Sequence, residues 1–86
     1  MDVNITLDPA KLSNPDADLR YLIPDKVSTI SDGKISDNGY DYDEEDRMII
    51  CLTSTDLSEA LIRQYMQNVF TELGLEAKAL TVKVDV

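Results

Sequence analysis

Histidine is absent from the chain, and cysteine occurs once, at Cys51. Zinc, copper and iron sites are built from imidazole and thiolate, so a transition-metal centre lacks its donors. A nucleophilic triad lacks its histidine base for the same reason. Glycine occurs three times, never in the dense run that cradles phosphate. One cysteine cannot form an intramolecular disulfide, which points to a reducing compartment. No apolar run approaches the roughly 20 residues that span a bilayer. The opening residues, MDVNI, also lack the basic-then-apolar order of a secretory signal. The expectation is a cytoplasmic protein with no cofactor, no metal and no membrane partner.

Bases are scarce as well. Eight Lys and Arg face 17 Asp and Glu, for a net charge of -9 and a pI near 4.1. That field repels phosphates and anionic lipid and attracts basic surfaces, so nucleic acid is disfavoured as a ligand. Hydrophobic residues still make up 43% of the chain, a globular proportion despite the charge. At 86 residues, the chain is expected to be a single domain, 1–86, near the lower size at which one apolar core suffices. Residues 34–56 carry seven acids and two bases, more than half of the net charge. Within them DNGYDYDEED, residues 37–46, places six carboxylates and two tyrosines with no base among them.

Val3, Ile5 and Leu7 alternate with Asp2, Asn4 and Thr6, the period of two of a strand with one buried face, over about residues 2–8. Asp8 and Asn14 each precede a proline, an arrangement that opens helical turns, and the second is the better start. Leu19, Ile23, Val27 and Ile30 then form one apolar stripe, predicting a helix over about 16–31. Pro24 lies inside it and predicts a kink, or two short helices meeting there. Gly33 is expected to stop it as a left-handed cap.

A strand follows within 34–44. Ile35 has the opposite parity to Tyr40 and Tyr42, so Asn38 and Gly39 form either a bulge or a tight hairpin turn. The apolar run Met48 to Leu52 within 47–54 predicts a central strand covered on both faces, or a homodimer surface. Asp56 and Glu59 have the spacing of a capping box. Ile62, Tyr65, Met66, Val69, Phe70 and Leu73 share the apolar face of the helix that follows, and Gly74 ends it. Leu80, Val82, Val84 and Val86 alternate with polar residues as the last strand.

The element order predicts an α+β domain of two layers, a four-stranded antiparallel sheet with two helices on one face. This is the βαββαβ arrangement called ferredoxin-like, with first and last strands paired. RNA-binding domains of this fold display stacking aromatics on the central strands, and residues 3–7 and 47–52 contain none. Ligand-sensing and dimerising modules also use the fold.

The acidic segment fits no calcium loop, because neither register that starts at Asp37 or Asp41 has glycine at the sixth position. Six acids in a hydrophilic stretch stay solvated and ionised, whereas an acid catalyst needs a carboxyl with a raised pKa in an apolar pocket, so no enzyme is expected. Tyr40 and Tyr42 are either inward-facing strand residues with hydroxyls at the rim or anchors of a binding patch. The acids either deter edge-strand pairing or dock a cation. Cys51 reads as a small buried apolar residue, and Met48 and Met66 as core fillers.

In its size, its acidity and the YDYDEED segment at 40–46, the chain resembles the small acidic immunity proteins that bacteria make against their own toxins. The resemblance implies a tight, single-turnover inhibitor whose carboxylates cover the cationic site of a basic toxin domain. Tyr40, Asp41, Tyr42, Asp43, Glu44, Glu45 and Asp46 would form the docking set, tyrosines as anchors and acids steering encounter. The alternative is a ligand-sensing or dimerising regulatory domain.

Overall fold

Alternation in the first residues produces the strand that centres the molecule. The computed structural model of the chain describes residues 1–13 and 18–85. β1 (Asp2–Leu7) buries Val3, Ile5 and Leu7 and leaves the side chains between them partly or fully exposed. It pairs antiparallel with β3 (Met48–Ser54) on one side and with β4 (Leu80–Asp85) on the other. β2 (Ile35–Tyr42) pairs antiparallel with β3, so the sheet order is β2-β3-β1-β4. With α1 (Leu19–Ile30) and α2 (Glu59–Leu73) between the strands, this is the ferredoxin-like βαββαβ topology. Two short 3-10 turns, Pro9–Lys11 and Ala77–Ala79, flank β1 and β4.

Both helices pack on one face of the sheet. Leu19, Ile23 and Val27 of α1 and Ile62, Met66, Val69 and Phe70 of α2 share one core with Val3, Ile5, Leu7, Ile35, Ile50 and Leu52. The opposite face is open: Asn4 lies across from Cys51 and Thr6 from Ile49, and none of the four is buried. The run from Met48 to Leu52 is therefore not covered on both faces, and Cys51 is half-buried rather than enclosed. Threonine and asparagine neighbours in place of apolar ones make that face tolerable in water. Met66 fills the core as expected, while Met48 sits at its margin.

α1 runs through Pro24 as one helix, not two. An interior proline costs about 3 kcal/mol. Full burial of Leu, Ile and Val contributes roughly 1.5–3 kcal/mol each. Leu19, Ile23 and Val27, together with the buried Pro24 ring, outweigh the lost bond. The stop of α1 also differs from expectation. Asp32, at φ 57, takes the left-handed position, with Asp32 N–H bonded to the Thr29 carbonyl and Gly33 N–H to the Ser28 carbonyl. Gly33, the next residue, is left-handed as expected at φ 80, so the stop uses two consecutive left-handed residues rather than the glycine alone. At α2 the cap is Ser58, whose Oγ accepts from Leu61 N–H at 3.2 Å, so the box predicted at Asp56 and Glu59 is displaced by two residues. Asp56 instead sits at φ 57 in the approach to the helix. Gly74, at φ 70, ends α2 as expected. The predicted helix start at Asn14 and Pro15, and Val86, lie outside the described residues.

Candidate docking surface along the β2 edge

The register of β2 decides where the acidic segment points. Asp37 lies opposite Leu52 and Tyr40 opposite Ile50, so Asn38 and Gly39 together face the single residue Cys51. This is a β-bulge, with Gly39 at φ 93, and it resolves the parity conflict between Ile35 and the tyrosines. Ile35, Asp37, Tyr40 and Tyr42 consequently share the helix-covered face, because directly opposed residues share a face and Leu52 and Ile50 belong to the core. Asp41, opposite Ile49, points to the open face instead.

Tyr40 and Tyr42 face the helix side of the sheet, as inward-facing strand residues, but lie outside the core. Each is 46% exposed. Their rings meet edge to face at 6.1 Å and 88°. Arg20 of α1 leans over them, its Cζ 4.9 Å from the Tyr40 centroid and 4.9 Å from that of Tyr21. Its Nη1 donates to the Tyr42 hydroxyl at 3.4 Å, while its Nε is buried without an acceptor among the described residues. The hydrogen bond that Arg20 donates to Tyr42, then its interaction with the Tyr21 hydroxyl, raise the Arg20 pKa further. An exposed cation over an aromatic face contributes about 0.5–1 kcal/mol, so the cluster is held modestly.

The six carboxylates divide by what they hold. Asp37 Oδ1 accepts from Gly39 N–H at 3.0 Å and Asp41 Oδ1 from Tyr42 N–H at 2.8 Å. Ser31 Oγ accepts from Ile35 N–H at 3.0 Å. Asp43 N–H bonds to the Arg47 carbonyl of the next strand, so by alternation Tyr42 and Tyr40 direct their amides away from β3. Asp41 and Ser31 thereby occupy outward donors that an edge strand would otherwise offer to another chain. The other edge has a comparable device, since Arg63 Nη1 donates to the Val82 carbonyl at 3.2 Å.

Asp43 organises the hairpin turn. Its Oδ1 accepts from the amides of Glu45 and Arg47, both at 2.9 Å, and its Oδ2 takes Arg47 Nε at 2.7 Å. The Arg47 amide, then its guanidinium and the Glu45 amide, hold the Asp43 carboxyl below its ordinary value. Glu45 shares Arg47 at 3.7 Å. Asp46 turns the chain at φ 59, a conformation aspartate tolerates better than most residues. The Glu44 and Asp46 side chains are exposed and make no ion pair among the described residues.

The seven residues expected to dock together thus fall into three sets. Tyr40 and Tyr42 lie on the α1 side, Asp41 lies on the open face, and Asp43, Glu44, Glu45 and Asp46 form the turn beyond them. Arg20, Tyr21 and Ser31 were not among the expected site residues. Tyr21 could have been found by placing it with Pro24, Asp25 and Ser28, which share one flank of α1 beside the apolar stripe.

Other chemistry is thinly represented. The Cys51 thiol is pushed up by burial first, then by Asp41, Asp37 and Asp2, the reverse of an activated nucleophile. Among the described residues, no group of three metal-ligating side chains gathers and no helix is long and apolar enough to cross a membrane. A pocket of about 170 Å³ beside Leu12, Leu19, Leu22 and Leu73 is below the roughly 300–1,000 Å³ of small-molecule sites. Compared with known proteins, the chain matches no family, no curated relative and no solved structure.

Proposed function

We propose that this domain works by binding a basic protein, as an immunity-type inhibitor that neutralises a toxin domain, through the strip formed by Tyr40, Tyr42 and the turn residues Glu44, Glu45 and Asp46. The observation that carries the reading is the half-exposed tyrosine pair running into a turn whose Glu44 and Asp46 make no ion pair among the described residues. Arg47 closes that turn, and Asp43 holds its guanidinium at 2.7 Å. The tip therefore keeps its negative field while Asp43 ties its backbone at the Glu45 and Arg47 amides, and an ordered surface loses little entropy on docking. Asp41 and Asp43 act chiefly on the chain's own backbone in this reading. Their charge still adds to the field that accelerates encounter.

Affinity capture from native lysate with mass spectrometry supplies the partner, which should be basic. Surface plasmon resonance over a salt series then compares the wild type with the triple variant Glu44→Gln, Glu45→Gln, Asp46→Asn. The variant at low salt should associate as slowly as the wild type at high salt, with dissociation little changed. Tyr42→Ala should instead speed dissociation, by about 2 kcal/mol or more in binding free energy if the ring is a central anchor. Thermal melting of each variant separates lost docking from lost folding. An acidic partner, or rates unaltered by the triple substitution, would remove the hairpin tip from the interface.

A further inference from the structure

Ser31 touches Ile35 at one end and Arg20 reaches Tyr42 at the other, so α1 lies along β2 in the opposite direction. Between them is an open groove of about 280 Å³ lined by Tyr21, Pro24, Asp25, Ser28 and Asp37. Its volume is just under the roughly 300–1,000 Å³ of small-molecule sites, a size suited to one long side chain. Two lining residues are carboxylates and none is a base. Asp37 spends Oδ1 on Gly39 N–H, which leaves Oδ2 for a second donor. The Asp25 carboxylate makes no hydrogen bond or ion pair among the described residues. One wall is the Tyr21 ring, 56% exposed with Arg20 already stacked on it.

We propose that this groove receives an arginine side chain of the basic partner, its stem along Pro24 and Tyr21 and its guanidinium between Asp25 and Asp37. The proposal rests on the docking function above and extends the interface from the hairpin tip along α1. Guanidinium fits better than ammonium on two counts. Its planar fork can bond two carboxylates while stacking on a ring. The chain's own Arg20 already places a guanidinium against Tyr21, which lines the groove, and against Tyr40 beyond it. Arg20 opposes a second cation by like charge, and the two groove carboxylates outnumber it. Continuity with Tyr40 lets one basic segment engage groove, rings and tip together.

The test uses the full, isotope-labelled chain titrated at low salt with three peptide probes, hexa-arginine, hexalysine and hexacitrulline, and followed by amide chemical shifts. Hexa-arginine should move the amides of Tyr21, Asp25, Ser28 and Asp37 in a saturable way. Hexalysine should bind on the order of tenfold more weakly there, and uncharged hexacitrulline should leave those amides in place. The double variant Asp25→Asn, Asp37→Asn should weaken the groove response at least about tenfold while the tip still responds. Asparagine keeps an acceptor for Gly39 N–H, and an unchanged melting curve confirms the fold. Shifts confined to residues 44–46 would overturn the groove and leave the docking reading standing. Equal response to arginine and lysine would overturn the guanidinium assignment. No response anywhere would reject both.

Discussion

Replacing Ser31 with alanine tests whether the β2 edge is closed by the chain's own side chains. Ser31 is 2% exposed and Ile35 fully buried, and the Ser31 hydroxyl accepts the Ile35 amide at 3.0 Å. By strand alternation that amide points away from β3, so no carbonyl of the sheet can replace the hydroxyl. A buried donor left without an acceptor costs about 1–3 kcal/mol. In a domain of this size each kcal/mol lowers the melting temperature by about 4–8 °C. Ser54 provides the contrast. It is 5% exposed, but its hydroxyl only donates, at 3.5 Å, to the Met1 carbonyl, which already accepts Ser54 N–H at 2.9 Å. Removing that hydroxyl orphans no donor, and Ser54→Ala should cost about 0.5 kcal/mol or less. Urea unfolding followed by circular dichroism measures both, with an unchanged dependence on denaturant confirming that only stability moved. Equal costs, or a Ser31→Ala cost under about 0.5 kcal/mol, would mean that water reaches the amide and the edge is not sealed there.

Two further expectations concern titration. The Asp43 carboxyl is held below its ordinary 3.8, first by the Arg47 amide, so it binds its proton less readily folded than unfolded. Its contribution is fully present above that ordinary value and is lost as pH falls through the lower folded value; Asp43→Asn should therefore flatten stability against pH in that acid window, read from melting temperatures over a pH series. Cys51, raised by burial and by Asp41, Asp37 and Asp2, should react with a disulfide reagent at neutral pH more slowly than a free thiol, and added salt should narrow the gap. A rate equal to that of free cysteine would refute the shielding.

The element order was readable because each element announces itself locally. Val3, Ile5 and Leu7 recur every second residue, Ile62, Met66 and Val69 every third or fourth, and Gly74 stands where the helix must stop. Only the six-element order was needed to expect that β4 would pair with β1. Caps were less legible, since Asp32 and Gly33, or Asp56 and Ser58, are neighbours of similar propensity, and the choice is made by which amide meets which carbonyl.

The acidic segment separates the two kinds of information most sharply. Composition alone determined its net charge and hence the sign of the field it presents, because long-range field depends on how many charges there are more than on where each points. Which carboxylates are committed was decided only in three dimensions. One bulge at Asn38 and Gly39 sets the faces of the tyrosines and of Asp41, since a shift of one residue exchanges every side chain between faces. Arg20 and Tyr21 lie about twenty residues before Tyr40 and Tyr42 in sequence, and only the packing of α1 along β2 brings them together. Periodicity reports which way a residue faces within its own element. It carries nothing about the neighbour waiting there, and that neighbour turns Asp43 into a turn organiser, leaves Asp25 and Asp37 facing an open groove, and leaves Glu44 and Asp46 at the tip without an ion pair among the described residues.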